Sequence, residues 1–425
     1  MGRFVIDVSP LRVGRDFRFV FTARLVSLIG IGVTGVALAI QVFGLTGSSL
    51  HVAMVNAALG GPLLVGTLAG GVLADRLDRR LLMIWSRTGA GLGFTALAAN
   101  AFLPEPRLWA VYGCAALIGL ADGLSETALM AATPALAGRD RLAAAEALTS
   151  ITTQLGTVAG PSLGGLLIAG PGLGACYAFT AATTAVTVGL LCLIRRLRPE
   201  GGERHRPVRS IIEGLSFVRR NRLIAGLILI DLSGTLFAMP YAVFPELAAE
   251  RFGGGAEAVG LLYSAPAAGA LLAALTSGWI GRVRRPGPVL AGAVILWGLA
   301  MTGFGLSGAL PVALAFLAAS GVGQIVSEVV AGALLQGNTP DHMLGRVSSL
   351  WLTEATVGPA AGGVLAGWLA RLFTPGAAVV IGGVACMAGA VCVIWAVPAL
   401  RRARTLAGAA AVDAAPGRAA EAARK

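Results

Sequence analysis

Long apolar runs alternate with short polar breaks along nearly the whole chain. A helix rises about 1.5 Å per residue, so about 20 apolar residues cross a hydrocarbon core of about 30 Å. On that rule, spans are expected near residues 17–42, 52–74, 81–102, 108–132, 147–169 and 174–194. A second set falls near 223–245, 257–280, 288–308, 311–335, 348–370 and 376–398. The first run is too long for the core of a signal peptide and lacks a convincing cleavage site, so it reads as a retained helix. The pattern predicts an all-α integral membrane protein with twelve transmembrane helices.

Composition agrees. Of 425 residues, 56% are hydrophobic and 13% charged, against about 25% charged in soluble domains. The net charge of +12 could suggest nucleic acid, but the arginines fall mostly in alternate short loops, so nucleic acid is disfavoured. The leader with Arg3, Arg12 and Arg15, then Arg76–Arg80, Arg139–Arg141, Arg282–Arg285, Arg346 and Arg401–Arg404, all lie on one side. Of the opposite loops, 44–51 and 170–173 hold no Lys or Arg, and 103–107, 246–256 and 371–375 hold one Arg each. Basic loops stay cytoplasmic, which predicts both termini on the cytoplasmic side. The five cysteines form no C-x-x-C pair, so neither a disulfide framework nor a zinc site is expected. The single lysine, Lys425, excludes a Walker A loop from this chain. Gly30-Ile-Gly32-Val-Thr-Gly35 matches G-x-G-x-x-G in form only, because it lies inside an apolar span with no strand before it. No cofactor or metal is expected.

The longest internal polar stretch, Arg195 to Asn221, holds eight arginines and three glutamates. Val208, Ile211, Ile212, Leu215 and Val218 share one helical face there, which predicts an amphipathic helix at the membrane surface. Four regions follow: a bundle with its leader over 1–194, the basic linker over 195–221, a second bundle over 222–398, and a tail over 399–425. The alanine-rich tail is expected to be disordered.

The two halves repeat. Gly160-Pro161-Ser-Leu-Gly164-Gly165 in the fifth expected span returns as Gly358-Pro359-Ala-Ala-Gly362-Gly363 in the eleventh. Ser125-Glu126 with Thr133-Pro134 and Gly138-Arg139 returns as Ser327-Glu328 with Thr339-Pro340 and Gly345-Arg346. Two pseudo-repeated six-helix bundles imply a site between them near the bilayer midplane, with alternating access. Glycines four apart, with Gly156 one turn ahead, let helices approach closely, while proline kinks them, so the string reads as a hinge rather than ordinary small-residue packing.

Charges within spans are expensive and mark candidate sites. They are Arg24, Arg87, Asp122, Glu126, Asp231 and Glu328, with Asp122 and Glu126 one turn apart on one face. The carboxyls are candidates to load and release a proton on the substrate pathway. Rival readings are snorkelling for Arg24 and Arg87 and a structural pair such as Asp122 with Arg24. Glu354 and Glu246 read as shallow residues near helix ends.

Gly71, Asp75, Arg76, Arg79 and Arg80, in the string GVLADRLDRR, stand between the second and third expected spans. With twelve spans and a basic central loop, this G-x-x-x-D-R resembles the loop motif of the major facilitator superfamily. LMAATPALAGRDRL (129–142), LLQGNTPDHMLGRVSSLW (334–351), AFLPEP (101–106) and ARLVSLIG of the first span are similar to the exporters of enterobactin-type siderophores. The drug and macrolide efflux proteins are looser relatives. The resemblance implies that Asp75 latches the cytoplasmic side by facing the start of the eleventh span, near Gly345–Ser349. It also implies that Gly156, Gly160, Pro161, Gly164 and Gly165 are the motif of exporters rather than importers. Asp78 stands where the superfamily usually has glycine, and the arginine that many superfamily exporters carry in the fourth span is not evident.

The expected function is secondary export of a small organic molecule, a siderophore first, by proton antiport across a bacterial cytoplasmic membrane. The partners are then the substrate, protons and the bilayer, and a monomer suffices. The alternative is a multidrug or macrolide efflux pump. A sensor on the same fold, or a membrane enzyme, ranks lower, since the three histidines (51, 205 and 342) are scattered with no catalytic grouping.

Overall fold

A computed structural model of the chain describes residues 14–137, 142–197, 215–276 and 283–403. Among these, the chain is nearly all helical, with fourteen α-helices, one 3-10 turn and a further helical stretch at 215–220. By compactness it divides into two units, residues 1–204 with 241–267, and residues 205–240 with 268–425.

The first unit holds α1 (Arg15–Thr46), α2 (Ser49–Ala74), α3 (Arg79–Ala101), α4 (Leu108–Ala137), α5 (Leu142–Ala169) and α6 (Leu173–Cys192). It also takes in the 3-10 turn Tyr241–Val243, α8 (Phe244–Arg251) and the start of α9 (Ala256–Leu275). Here α1 lies against α5 and α6, α3 against α4 and α6, and α2 against α4. Lipid tails are as apolar as leucine, so helices in a bilayer associate through close packing rather than through the hydrophobic effect. The α2–α4 seam shows how. Gly66 and Gly70 of α2 meet the backbone of Leu120 and Leu124, and Gly119 and Gly123 of α4 meet that of Leu59 and Leu63. A side chain at Gly123 would collide with α2 and part the two helices. The turn from α1 to α2 rests on Gly47, whose φ of 61° suits glycine and whose N–H donates to Phe43 O at 2.7 Å.

The second unit holds α7 (Arg222–Phe237), the end of α9, α10 (Pro286–Leu306), α11 (Leu310–Asn338), α12 (Asp341–Leu372), α13 (Pro375–Ala396) and α14 (Pro398–Arg402). In it α7 lies against α12 and α13, and α10 against α11 and α13. Gly269 of α9 meets Ala318 of α11.

Nine stretches among the described residues are long and apolar enough to cross a membrane. The helices α3, α5 and α12 are as long, at 23, 28 and 32 residues, but carry more polar side chains. Trp85, Trp109, Leu306 and Trp395 are exposed although large and apolar, as side chains facing lipid would be. Helical hydroxyls mostly bond the carbonyl one turn back, as Thr127 does to Gly123 O and Thr133 to Leu129 O. That meets the demand of a solvent that offers no hydrogen bonds. The chain is a multi-pass membrane protein.

The stretch expected as one span over 223–245 is broken. Helix α7 stops at Phe237, and α8 starts at Phe244 after the 3-10 turn. Pro240 disfavours the helical conformation in the residue before it. Pro245 then occupies the first turn of α8, where its missing N–H costs nothing. Several expectations lie outside the described residues: the leader to residue 13, Arg139–Arg141, most of the amphipathic linker helix, Arg282 and the tail after Ala403.

Candidate functional site

Helix α4 is the organising element of the first unit's polar centre. Asp122, Ser125 and Glu126 recur at helical spacing, so one face of an apolar helix presents three oxygen-bearing groups. The structure supplies a cation to each carboxylate from a neighbouring helix. Arg87 of α3 donates through Nη1 to Asp122 Oδ1 at 2.9 Å and through Nε to Ser125 Oγ at 2.9 Å. Arg24 of α1 donates through Nη1 to Glu126 Oε1 at 3.1 Å and through Nη2 to Thr153 Oγ1 of α5 at 3.5 Å. Arg87 and Asp122 are enclosed, with side chains 10% and 14% exposed. Glu126 is 45% exposed, so the Arg24 pair opens to the outside of the unit.

Both arginines pair with an acid, and the pairing differs from the one considered from sequence. Asp122 takes Arg87, and Arg24 takes Glu126. The guanidinium groups come from the first and third spans, not the fourth. Beside them is a small cavity of about 30 Å³, whose walls include Ser27, Leu28, Leu129 and Thr187. Its apolar base is continuous with the core through Val20, Met83 and Leu191.

The second unit gathers acid without base. Asp231 of α7 is 8% exposed, and its carboxyl lies beside that of Glu354 on α12. Thr235, one turn after Asp231, donates to Glu354 Oε1 at 2.5 Å. Glu328 of α11 lies near enough to act electrostatically on Asp231, yet is exposed. Among the described residues none of the three makes an ion pair. Glu354, read from sequence as a shallow residue, stands well inside α12 because that helix starts at Asp341, ahead of its apolar run. Glu246, at the start of α8, accepts a hydrogen bond from Ser49 at the start of α2. Among the described residues no group of three His, Cys, Asp or Glu is placed to hold a metal ion.

The basic loop does structural work that its spacing did not reveal. Arg79 donates to Ala74 O at 3.3 Å and Ala131 O at 2.7 Å, and Arg80 to Leu191 O at 3.2 Å. Both cations thus sit on carbonyls near helix C-termini, where a positive charge is favourable. Asp78, in the superfamily's glycine position, caps α3 by accepting from Arg80 N–H at 3.0 Å, and also accepts from Leu197 N–H at 3.1 Å. Asp75 and Arg76 are exposed at the end of α2, and a side chain at Gly71 would meet open space.

The glycine string of α5 has two faces. Gly156, Gly160 and Gly164 seat on α1, where a Cβ at Gly160 would lie 2.7 Å from Gly32 Cα. Gly165 and Pro161 meet Gly260 of α9, and a Cβ at Gly260 would lie 2.8 Å from Pro161 O. The second copy behaves alike within its own unit. Gly358 and Gly362 seat on Thr235 and Leu236 of α7, Pro359 is inside α12, and Gly363 is buried.

A family model, the transmembrane secretion effector model of the major facilitator superfamily, matches residues 6–413. The chain belongs to that family. It is 36% identical over 405 residues to the enterobactin exporter EntS of Shigella boydii serotype 18, covering 94% of this chain and 96% of that one. The same identity and coverage hold for the enterobactin exporter EntS of Escherichia coli O1:K1. Among solved structures, a POT family transporter in complex with 5-aminolevulinic acid superposes with a TM-score of 0.75 at 12% identity, over 92% of this chain and 97% of that one. The nucleoside transporter NupG gives a TM-score of 0.73 at 12% identity, over 92% and 100%. At such identities the structural likeness speaks for the transporter fold alone.

Proposed function

We propose that this export transporter carries a siderophore of the enterobactin type out across the bacterial cytoplasmic membrane in exchange for protons. The observation that carries the cargo is the 36% identity to enterobactin exporters along nearly the whole of both chains. In this reading twelve spans form two six-helix bundles, over 1–194 and 222–398, joined by the linker 195–221, and both termini are cytoplasmic. The packing supports such a repeat. When the expected spans are counted within each half, first against fifth and sixth, and third against fourth and sixth, recur in both units.

Proton coupling is supported by the second unit. Asp231 and Glu354 lie side by side there, and among the described residues neither makes an ion pair. Proton loading there, and substrate binding beside the paired arginines, would bias the same alternation between inward and outward access. Asp75 would latch the cytoplasmic side against the start of α12, and the glycine strings of α5 and α12 would let each bundle flex as it rocks. The protein acts as a monomer in this scheme. A cationic or hydrophobic drug is the second reading, favoured by the uncompensated acid of Asp231, Glu328 and Glu354. The test is complementation. In a bacterium lacking its own enterobactin exporter, expression of this chain should restore enterobactin to the medium. Restored drug resistance without restored secretion would select the second reading.

A further inference from the structure

The short helix α14 closes the end of the second unit at which α7 and α10 begin and α13 finishes. It packs against all three, and Leu400 on it is wholly buried. The approach is close. A Cβ at Gly287 of α10 would collide with Leu400 O, and one at Gly226 of α7 would lie 3.0 Å from Val397 Cγ1. Three segments distant in sequence thereby bring arginines to one place. Arg222 stands one turn before Gly226, Arg285 two residues before Gly287, and Arg401 directly after Leu400. With Arg219, Arg220 and Arg284 they make six exposed arginines. Residues 215–226, 283–292 and 390–403 hold no Asp or Glu. Among the described residues, none of the six makes an ion pair. The basic groups of the first unit differ, since Arg79 and Arg80 are spent on carbonyls and Arg195 pairs with Asp16 at 3.3 Å.

A neighbouring tryptophan sets the depth of this patch. Trp395, in the last turn of α13, is 71% exposed, and tryptophans at the ends of spans sit at the level of the lipid headgroups. The Arg401 guanidinium lies over its ring, 5.6 Å from the centroid, a contact that holds the cation at headgroup depth rather than out in water. Guanidinium groups match phosphate oxygens as planar forks of donors. A soluble acidic partner would meet the arginines from water and would gain nothing from a tryptophan under one of them. We propose that this patch binds the phosphates of an anionic phospholipid, with Arg285 and Arg401 on the headgroup and Arg222 beside them. Neither the cargo nor the proton enters the argument.

The test is native mass spectrometry of the full-length protein in mild detergent, titrated with cardiolipin and with zwitterionic phosphatidylcholine. Cardiolipin should bind more tightly than phosphatidylcholine. A basic side chain near an anionic lipid surface contributes about fivefold, so Arg285→Ala with Arg401→Ala should weaken cardiolipin binding by about 25-fold. Arg371→Ala is the control. It removes the same exposed charge from the last turn of α12, which lies at the start of α13 and so about 30 Å from the patch, and should leave binding unchanged. Equal affinity for the two lipids would overturn the proposal, as would a loss in Arg371→Ala as large as in the double variant, which would make the effect one of general charge. Displacement of cardiolipin by low-millimolar inorganic phosphate would also overturn it, by making the patch a site for soluble anions. The side chains removed are exposed and unpaired, so the lipid-free double variant should melt as wild type does. If it melts lower, Arg222→Ala with Arg284→Ala takes its place and is held to the same outcomes.

Discussion

Replacing Asp122 by Asn removes one charge from a pair whose side chains are 10% and 14% exposed. Two unit charges about 4 Å apart interact by about 4 kcal/mol at an effective dielectric constant of about 20. Breaking a buried pair costs about 3–5 kcal/mol, because the surviving charge keeps its desolvation penalty without its partner. Arg87 retains its 2.9 Å bond to Ser125, so Asp122→Asn should fall at the lower end, at about 3 kcal/mol. Glu126→Gln is the built-in control. Its side chain is 45% exposed, and exposed pairs contribute about 0–1 kcal/mol. Denaturant unfolding of the purified protein in detergent should therefore separate the two variants by about 2 kcal/mol or more. Removing both partners, as Arg87→Met with Asp122→Leu, should recover most of the loss, since an apolar replacement of a buried pair is often neutral or stabilising. Equal losses for Asp122→Asn and Glu126→Gln, or a double variant as unstable as the single one, would refute the assignment of a buried structural pair.

The loop after α2 should divide by function. Asp78→Ala loses the α3 cap and the tie to Leu197 and should lower unfolding stability by about 1–2 kcal/mol, whereas Asp75→Asn should lower transport with stability unchanged. Gly160→Val should impair folding or transport because its side chain would meet Gly32, while Gly71→Ala, with open space at its Cβ, should be silent in melting and uptake assays. Glu354→Gln should uncouple transport from an imposed proton gradient while leaving binding of the cargo intact, which uptake and binding measurements on the same preparation would compare.

The long apolar helices were readable because a bilayer demands them, and no tertiary detail changes that demand. Asp122 and Glu126 were readable as a face for the same reason, since charges in a span stand out against their neighbours. Their partners were not. Arg87 lies 35 residues from Asp122 and Arg24 lies 102 residues from Glu126, and only the packing of α1 and α3 on α4 decides which cation meets which acid. Glu354 was expected near a helix end but lies inside α12, because that helix begins ahead of its apolar run. The break after α7 had a signal in Pro240 and Pro245, but averaging hydropathy over a span hides it. Asp78 looked like a departure from the superfamily pattern. It proves to be a helix cap whose second partner, Leu197, lies 119 residues away.

The central claim is export of an enterobactin-type siderophore driven by protons, and uptake into inverted membrane vesicles containing this protein tests it most directly. With an inwardly acidic gradient imposed, the vesicles should accumulate enterobactin, and collapsing the gradient should stop accumulation. Accumulation of drugs but not of enterobactin, or enterobactin uptake indifferent to the gradient, would contradict the account.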